Sequence, residues 1–120
     1  VKNKMTTDNK LLKLIIEELS LNKAENIVSI NLKNKSPMAD FMIIASGRSQ
    51  RHVLALGEKI LQRAKESKLT KYLIEGQKSG EWILIDIGDI IIHLFKPEIR
   101  KHYNLEKLWS VEFPSLTKEI

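Results

Sequence analysis

The groups in this chain that could carry out catalysis or bind a metal are few. They are two aspartates and three histidines: Asp86, Asp89, His52, His93 and His102. Two neighbouring carboxylates could bind a metal ion, but these two flank a turn, where aspartate is common because it hydrogen-bonds to nearby backbone. The histidines have neither HxxxH nor HxxE spacing, which a metal site on a helix would require. We therefore predict no metal site, and turn or packing roles for these side chains.

A second candidate is the loop Ser46-Gly47-Arg48-Ser49, between an apolar run and a helical pattern. Backbone NH groups at such a junction can hold a phosphate. In nucleotidyltransferases a Gly-Ser pair there is followed, about ten residues on, by two carboxylates that bind the magnesium ions of phosphoryl transfer. The matching window, VLALGEKIL, contains Glu58 alone. Neither GxSxG, a Walker loop nor GxGxxG occurs, so we expect no enzymatic activity and no cofactor.

The bulk properties limit the class of protein further. The chain has 120 residues, a net charge of +5 and no cysteine, so it contains no disulfide, thiolate metal site or cysteine nucleophile. Basic residues are mixed with acidic ones, without the aromatic-basic ladder that stacks unpaired bases. We predict no sequence-specific nucleic-acid recognition. The first apolar stretch is interrupted by Lys13, Glu17 and Glu18, and no segment is long enough to cross a bilayer. We expect a cytoplasmic protein that does not bind a membrane.

Helical and strand-like patterns alternate along the chain. In order, they are a helix from about Asp8 to Leu21, a strand in ENIVSINLK, a strand in DFMIIASG, a helix from Ser49 to about Lys68, a short strand in KYLIEG, a hairpin over residues 82–95, a helical section PEIRKHYNLEKLW and a loose tail over residues 111–120. The nearly continuous apolar run DFMIIASG is typical of a strand covered on both sides, and it is the best candidate for a central strand. The chain is therefore predicted to be one α/β or α+β domain over residues 1–120, with a mixed sheet of about five strands flanked by helices.

The hairpin determines which side chains share a face. Gly88-Asp89 between two β-branched runs predicts a two-residue type II′ turn, which pairs Trp82 with Phe95. Because successive side chains point to opposite sides, two unlike faces result. The aliphatic face consists of Ile83, Ile85, Ile87, Ile90, Ile92 and Leu94. The other, which we call the mixed face, consists of Trp82, Leu84, Asp86, Ile91, His93 and Phe95. Either a helix covers the mixed face, or another macromolecule binds it.

Three segments resemble one protein family in order and spacing. They are DFMIIASGRSQRHV, EGQKSGEWILIDIGDIIIHLF and RKHYNLEKLW. From the first helix to Trp109 the chain resembles the ribosomal silencing factor, or Iojap-like, family. The resemblance implies a nucleotidyltransferase-like fold without catalytic carboxylates. It also implies binding to the large ribosomal subunit through its protein number fourteen, which blocks joining of the small subunit and represses translation when nutrients are short.

The resemblance also implies which residues contact the partner. They are Trp82, the tryptophan of the EW motif; Ile87, where the family often has leucine before the Gly-Asp turn; and Tyr103, the aromatic residue of the RxxY segment. Near them, Phe95 is expected to extend the apolar contact of Trp82, and Asp86 and Asp89 to meet basic side chains. Ile87 poses a difficulty, because the predicted register places it on the aliphatic face. Either the hairpin tip protrudes or the pairing is shifted by one residue.

Two other functions remain open from the sequence. One is a nucleotide-binding enzyme that holds phosphate on the Ser46–Ser49 loop. The other is a dimerisation or RNA-binding accessory module, in which the mixed face pairs with itself to form a homodimer.

Overall fold

The computed structural model describes the backbone of residues 2–67 and 71–103, and the side chains of residues 10–67 and 71–101. The elements in chain order are α1 (Lys2–Leu21), β1 (Glu25–Asn31), β2 (Phe41–Ser46), α2 (Gln50–Glu66), β3 (Leu73–Glu75), β4 (Trp82–Asp86), β5 (Ile90–Phe95) and α3 (Pro97–Tyr103). The predicted continuation of the last helix to Trp109 and the predicted tail over residues 111–120 lie outside the described residues.

The strands form one mixed sheet in the order β1-β2-β5-β4-β3. β2 and β5 run parallel, whereas the other neighbouring pairs are antiparallel. The predicted mixed five-stranded sheet is thereby confirmed. The prediction that the DFMIIASG segment forms a central strand is confirmed, because β2 lies inside the sheet between β1 and β5, while β5 takes the middle position. Both strands are buried along their whole length, so burial alone could not distinguish them.

Both long helices pack on the aliphatic face of the sheet. α2 contributes Val53, Leu56, Ile60 and Ala64 to this core, and α1 contributes Ile15 and Leu19. All six aliphatic residues of the hairpin lie in the same cluster, which confirms the predicted core face. Ser49 caps α2 as predicted, since its Oγ accepts a hydrogen bond from the His52 amide at 3.1 Å. α1 begins earlier than predicted, at Lys2, because no glycine or proline before Asp8 interrupts the helix.

A smaller cluster lies on the opposite face. It consists of Leu32, Met42, Ile44 and Phe95, with Ile30, Trp82 and Ile99 packed against it. Ile99 belongs to α3, which begins at Pro97 as predicted. Arg100 of α3 is buried and donates a hydrogen bond from Nη1 to Ser46 Oγ at 2.9 Å. α3 is therefore attached to the mixed face beside the end of β2.

Candidate protein-interaction face

The hairpin that carries the mixed face has the predicted register. Trp82 lies opposite Phe95, and the pairing continues without a shift to Asp86 opposite Ile91. The Ile87 amide then donates to the Ile90 carbonyl at 3.0 Å. Gly88 has a φ of +93°, the left-handed conformation that the first central position of this turn was predicted to need. The possibility that the pairing is shifted by one residue is thereby excluded.

Trp82 is the half-buried aromatic residue at the start of β4. Its Nε1–H donates a hydrogen bond to His93 Nδ1 at 3.0 Å. Its ring centroid lies 5.2 Å from that of Phe95 and 5.8 Å from that of His93, and the rings of His93 and Phe95 stack at an interplanar angle of 17°. The three rings form one cluster, which we call the aromatic triad, and Trp82 is its outermost member.

The hydrogen bond determines the chemical state of His93. Because Nδ1 accepts the indole N–H, the imidazole is neutral and carries its own proton on Nε2. The residue is 9% exposed, and desolvation by burial lowers the pKa of His93 from 6.5 to about 4. His93 is therefore a neutral hydrogen-bond acceptor at physiological pH, and it is unsuited to acid-base chemistry there.

Two of the predicted contact residues are buried. Phe95 is 0% exposed and lies in the smaller core cluster. Ile87 is 5% exposed and packs into the core on the aliphatic face. Neither side chain exposes an appreciable surface, so the expectation that these two residues contact the partner directly has to be revised. Phe95 supports Trp82 from below, and Ile87 anchors the hairpin tip to the core instead of protruding.

Tyr103 is the last residue of α3. Its side chain lies outside the described residues, and its predicted contact role stays a prediction.

The two aspartates near the turn are both half-buried. Asp86 Oδ1 accepts a hydrogen bond from the Gly88 amide at 2.9 Å, the local turn bond that the sequence predicted for it. The Asp89 carbonyl accepts from the amides of Asp40 and Phe41 at 2.8 and 3.0 Å. The backbone of Asp89 thus ties the hairpin turn to the start of β2, while its carboxylate remains a candidate for partner contact.

The loop before Trp82 sets where β4 begins. Gly76 has a φ of +90°, and a Cβ there would collide with the carbonyl oxygen of Trp82. Gly80 has a φ of +70°, and a Cβ there would lie 3.0 Å from the Gln50 carbonyl oxygen. The Gly80 amide donates to the Gly76 carbonyl at 3.1 Å. Both glycines are needed because the loop packs closely against β4 on one side and α2 on the other.

The mixed face extends beyond the hairpin onto the edge strand β3. Leu73 lies opposite Asp86, and Glu75 lies opposite Leu84, so these side chains share the face of Trp82. Leu73 is 52% exposed, and Leu84 is half-buried. Leu73 was not predicted to belong to this face, although the alternation of KYLIEG would have placed it there once the pairing of β3 with β4 was known.

The Ser46–Ser49 loop is largely occupied by bonds within the protein. The Gly47 amide donates to the Phe95 carbonyl at 3.0 Å, and the Arg48 amide donates to His52 Nδ1 at 2.9 Å. Arg48 Nε lies 3.3 Å from Glu25 Oε2, in an exposed ion pair. The backbone groups that would hold a phosphate therefore already have partners at these two positions.

Among residues 10–67 and 71–101, whose side chains the structure describes, no group of three or more histidines, aspartates or glutamates could hold a metal ion. In the same part of the chain, no helix is both long and apolar enough to cross a membrane.

Together these features define a mixed α/β domain with its long helices on one sheet face and a supported tryptophan on the other. A family model described as "Ribosomal silencing factor during starvation" matches residues 5–119. The chain belongs to this family, as its resemblance to ribosomal silencing factors predicted.

Individual relatives and a solved structure agree with the family assignment. The chain is 48% identical over 99 residues to the ribosomal silencing factor RsfS of Zymomonas mobilis, covering 82% of this chain and 74% of that protein. It is 33% identical to a mouse protein named "Mitochondrial assembly of ribosomal large subunit protein 1", covering 82% of this chain and 44% of that protein. A crystal structure of a Chromobacterium violaceum protein superposes with a TM-score of 0.82 at 34% identity, covering 85% of each chain.

Proposed function

We propose that this protein binds the large ribosomal subunit through protein number fourteen on the intersubunit face, and that it thereby blocks joining of the small subunit. The consequence is repression of translation under nutrient limitation. Membership of the ribosomal silencing factor family supports a role on the ribosome, and the name of the mouse relative refers to the large subunit. A protein with this role has to share the compartment of its target, so the proposal includes a cytoplasmic location.

The observation that carries the proposal is the support beneath Trp82. Its ring is half-buried, rests on the fully buried Phe95 and is hydrogen-bonded to His93. Tryptophan dominates many binding interfaces, because a large ring with few rotatable bonds loses little entropy on binding. A ring already held in place loses still less. Leu84 and the exposed Leu73 continue the apolar surface beside it.

The charges on this face favour a basic partner. Asp86 and Glu75 lie on the same side of the sheet as Trp82, and Asp89 lies in the turn next to Asp86. A ribosomal protein seated on RNA presents basic side chains that such carboxylates can meet. The net charge of +5 would in turn speed the approach to an RNA-rich particle. The carboxylates of Asp86, Glu75 and Asp89 therefore favour a basic protein as the partner, and the positive net charge assists the encounter.

The mechanism is steric exclusion and needs no chemical step. A domain bound on the intersubunit face occupies space that the small subunit requires. The amides of Gly47 and Arg48 are engaged within the protein, and Glu58 is the single carboxylate in the window where nucleotidyltransferases bind magnesium. These features support a regulatory role without catalysis or cofactor over a nucleotide-binding enzyme.

The test is sedimentation of purified ribosomal subunits through sucrose gradients with the added protein. We expect the protein to co-migrate with the large subunit alone and to reduce the fraction of joined particles. A Leu21→Ala variant is the matched control, because Leu21 is 75% exposed at the end of α1, a helix on the opposite sheet face. Co-migration with the small subunit, or no change in joined particles, would contradict the proposal.

Two further measurements separate the rival functions. Light scattering of the free protein reports whether it is a homodimer, and a dimer that buries Trp82 would compete with subunit binding. A thermal shift with nucleotide and magnesium would favour the enzyme instead.

A further inference from the structure

The hydrogen bond between Trp82 and His93 links an outer residue to the middle of the sheet. His93 lies in β5, where its register neighbours are Ile44 on β2 and Leu84 on β4. A residue paired on both sides in the middle strand has little freedom to move. Trp82, by contrast, lies in the first position of β4, where the strand meets a loop. The bond at 3.0 Å therefore joins an acceptor in the middle strand to a donor on the outer ring of the aromatic triad.

Packing on Phe95 alone does not select one orientation of the indole ring. A ring turned over on Phe95 would direct Nε1–H away from His93. The bond to His93 distinguishes the two orientations, because only one places Nε1–H against Nδ1. This hydrogen bond forms only when the imidazole of His93 carries its proton on Nε2, because a proton on Nδ1 would face the indole N–H.

We propose that His93 is a positioning residue for partner binding: its Nδ1 holds the indole of Trp82 in one orientation, which presents the remaining ring surface to a basic protein partner. The inference rests on the proposed function, in that the ring surface is offered to the large-subunit protein. It assigns to His93 a role that requires no direct contact with that partner. Preorganising a contact residue from beneath in this way reduces the ordering cost of association.

A pair of polar substitutions tests this role. Asn places its amide oxygen one bond closer to the backbone, near the position of His93 Nδ1, whereas Gln places its oxygen near Nε2. His93→Asn should therefore keep the acceptor for the indole, and His93→Gln should lose it. The two variants are similar in polarity, so a merely structural requirement for a buried polar group would affect both alike.

Two measurements are made on the full-length chain. The first is the ¹⁵N NMR signal of the Trp82 indole, assigned by its loss in Trp82→Phe, together with its exchange with water. The second is affinity for the purified large subunit. We expect His93→Gln to speed indole exchange and to weaken binding by about tenfold, the effect of losing one hydrogen bond. His93→Asn should stay within a few-fold of the wild type in both measurements.

The outcomes are distinguishable. If the wild type and His93→Gln bind equally while the indole bond is lost, the positioning role is overturned and the proposed function stands. Equal losses in both variants would also overturn it, by showing a structural requirement for histidine. If the wild type does not bind the large subunit, the proposed function fails and the positioning role fails with it. Should either variant fail to fold, indole exchange in the wild type supplies the test, because exchange as fast as in free tryptophan would show that His93 does not hold the ring.

Discussion

Gly76 packs directly against the carbonyl oxygen of Trp82, so closely that a side chain at position 76 has no room. The residue that opens the mixed face is thus held from its backbone as well as from its ring. Gly88, in the hairpin turn, has nearly the same φ, +93° against +90° for Gly76. Within the part of the chain that the structure describes, and apart from the two adjacent residues, no atom lies within 4 Å of a Cβ built at Gly88. A side chain at position 88 would therefore meet only conformational strain, whereas a side chain at position 76 would meet both strain and a steric collision.

Gly88→Ala should lower the free energy of unfolding by about 1–2 kcal/mol, the cost of a left-handed non-glycine residue. Gly76→Ala should cost clearly more, because the methyl group also collides with backbone that cannot move aside. Urea unfolding of both variants is the measurement. Equal losses would show that the loop can shift and that the contact with Trp82 is not restrictive.

Trp82→Ala should weaken binding to the large subunit by about 2 kcal/mol or more, roughly 30-fold, as truncation of an interface hot spot does. Part of the effect could come from the uncovered ring of Phe95, so stability has to be measured on the same sample. Leu21→Ala, which removes an exposed leucine from α1, should bind as the wild type does. Unchanged binding of Trp82→Ala would remove this residue from the contact surface.

Asp86 has two roles that a pair of variants can separate. Asp86→Asn keeps an oxygen for the Gly88 amide and should change stability little, whereas Asp86→Ala should lose about 1 kcal/mol. Both remove the charge, so both should weaken binding to the large subunit through faster dissociation, because a net charge raised from +5 to +6 does not slow the approach to an RNA-rich particle. Stopped-flow dissociation at several salt concentrations is the measurement. Wild-type dissociation rates in both variants would show that Asp86 acts only in the turn.

The free energy of unfolding should decrease as the solution becomes more acidic, because of His93. The unfolded state takes up a proton near pH 6.5, whereas in the folded state the pKa of His93 is about 4. Between these values the unfolded state binds more protons, so the free energy of unfolding decreases as the pH falls from 6.5 to 4 and is fully restored above 6.5. The interval corresponds to about 3 kcal/mol. The neighbours Ile44, Leu84, Trp82 and Phe95 carry no charge that would offset this effect.

Carboxylates also titrate in this range, and the wild type therefore has to be compared with His93→Asn. Urea unfolding of both proteins at several pH values isolates the contribution of the imidazole as the difference between the two curves. The difference should grow as the pH falls below 6.5. Parallel curves would show that His93 binds a proton as readily in the folded state as in the unfolded state. Its bond to Trp82 would then be weaker than the geometry indicates.

The hairpin could be predicted residue by residue because a two-residue turn leaves a single register. Once Gly88-Asp89 was recognised, the assignment of Ile83 and Trp82 to opposite faces followed from alternation alone. The order of the strands could not be predicted in the same way. The parallel pairing of β2 with β5 joins segments far apart in the chain, and both are equally apolar, so no local pattern shows which is central.

The candidate site was predicted in outline only. Trp82 and Phe95 were expected to face a partner together because they are directly paired, yet burial at the paired position depends on the smaller cluster around Phe95, against which Ile99 of α3 packs. The contact of Trp82 with His93 is diagonal across the two strands. Large rings reach such neighbours, but the direction in which a ring leans is set by its surroundings and not by the pairing.

The alternation in β4 has a further consequence. Ile83 and Ile85 complete the core, while positions 82, 84 and 86 between them face away from it. Substitutions at these alternate positions leave the larger core cluster untouched, so natural drift can change the contact surface while the aliphatic side of the sheet persists. The same separation would make the strand a convenient place to graft a combinatorial library for engineered binders.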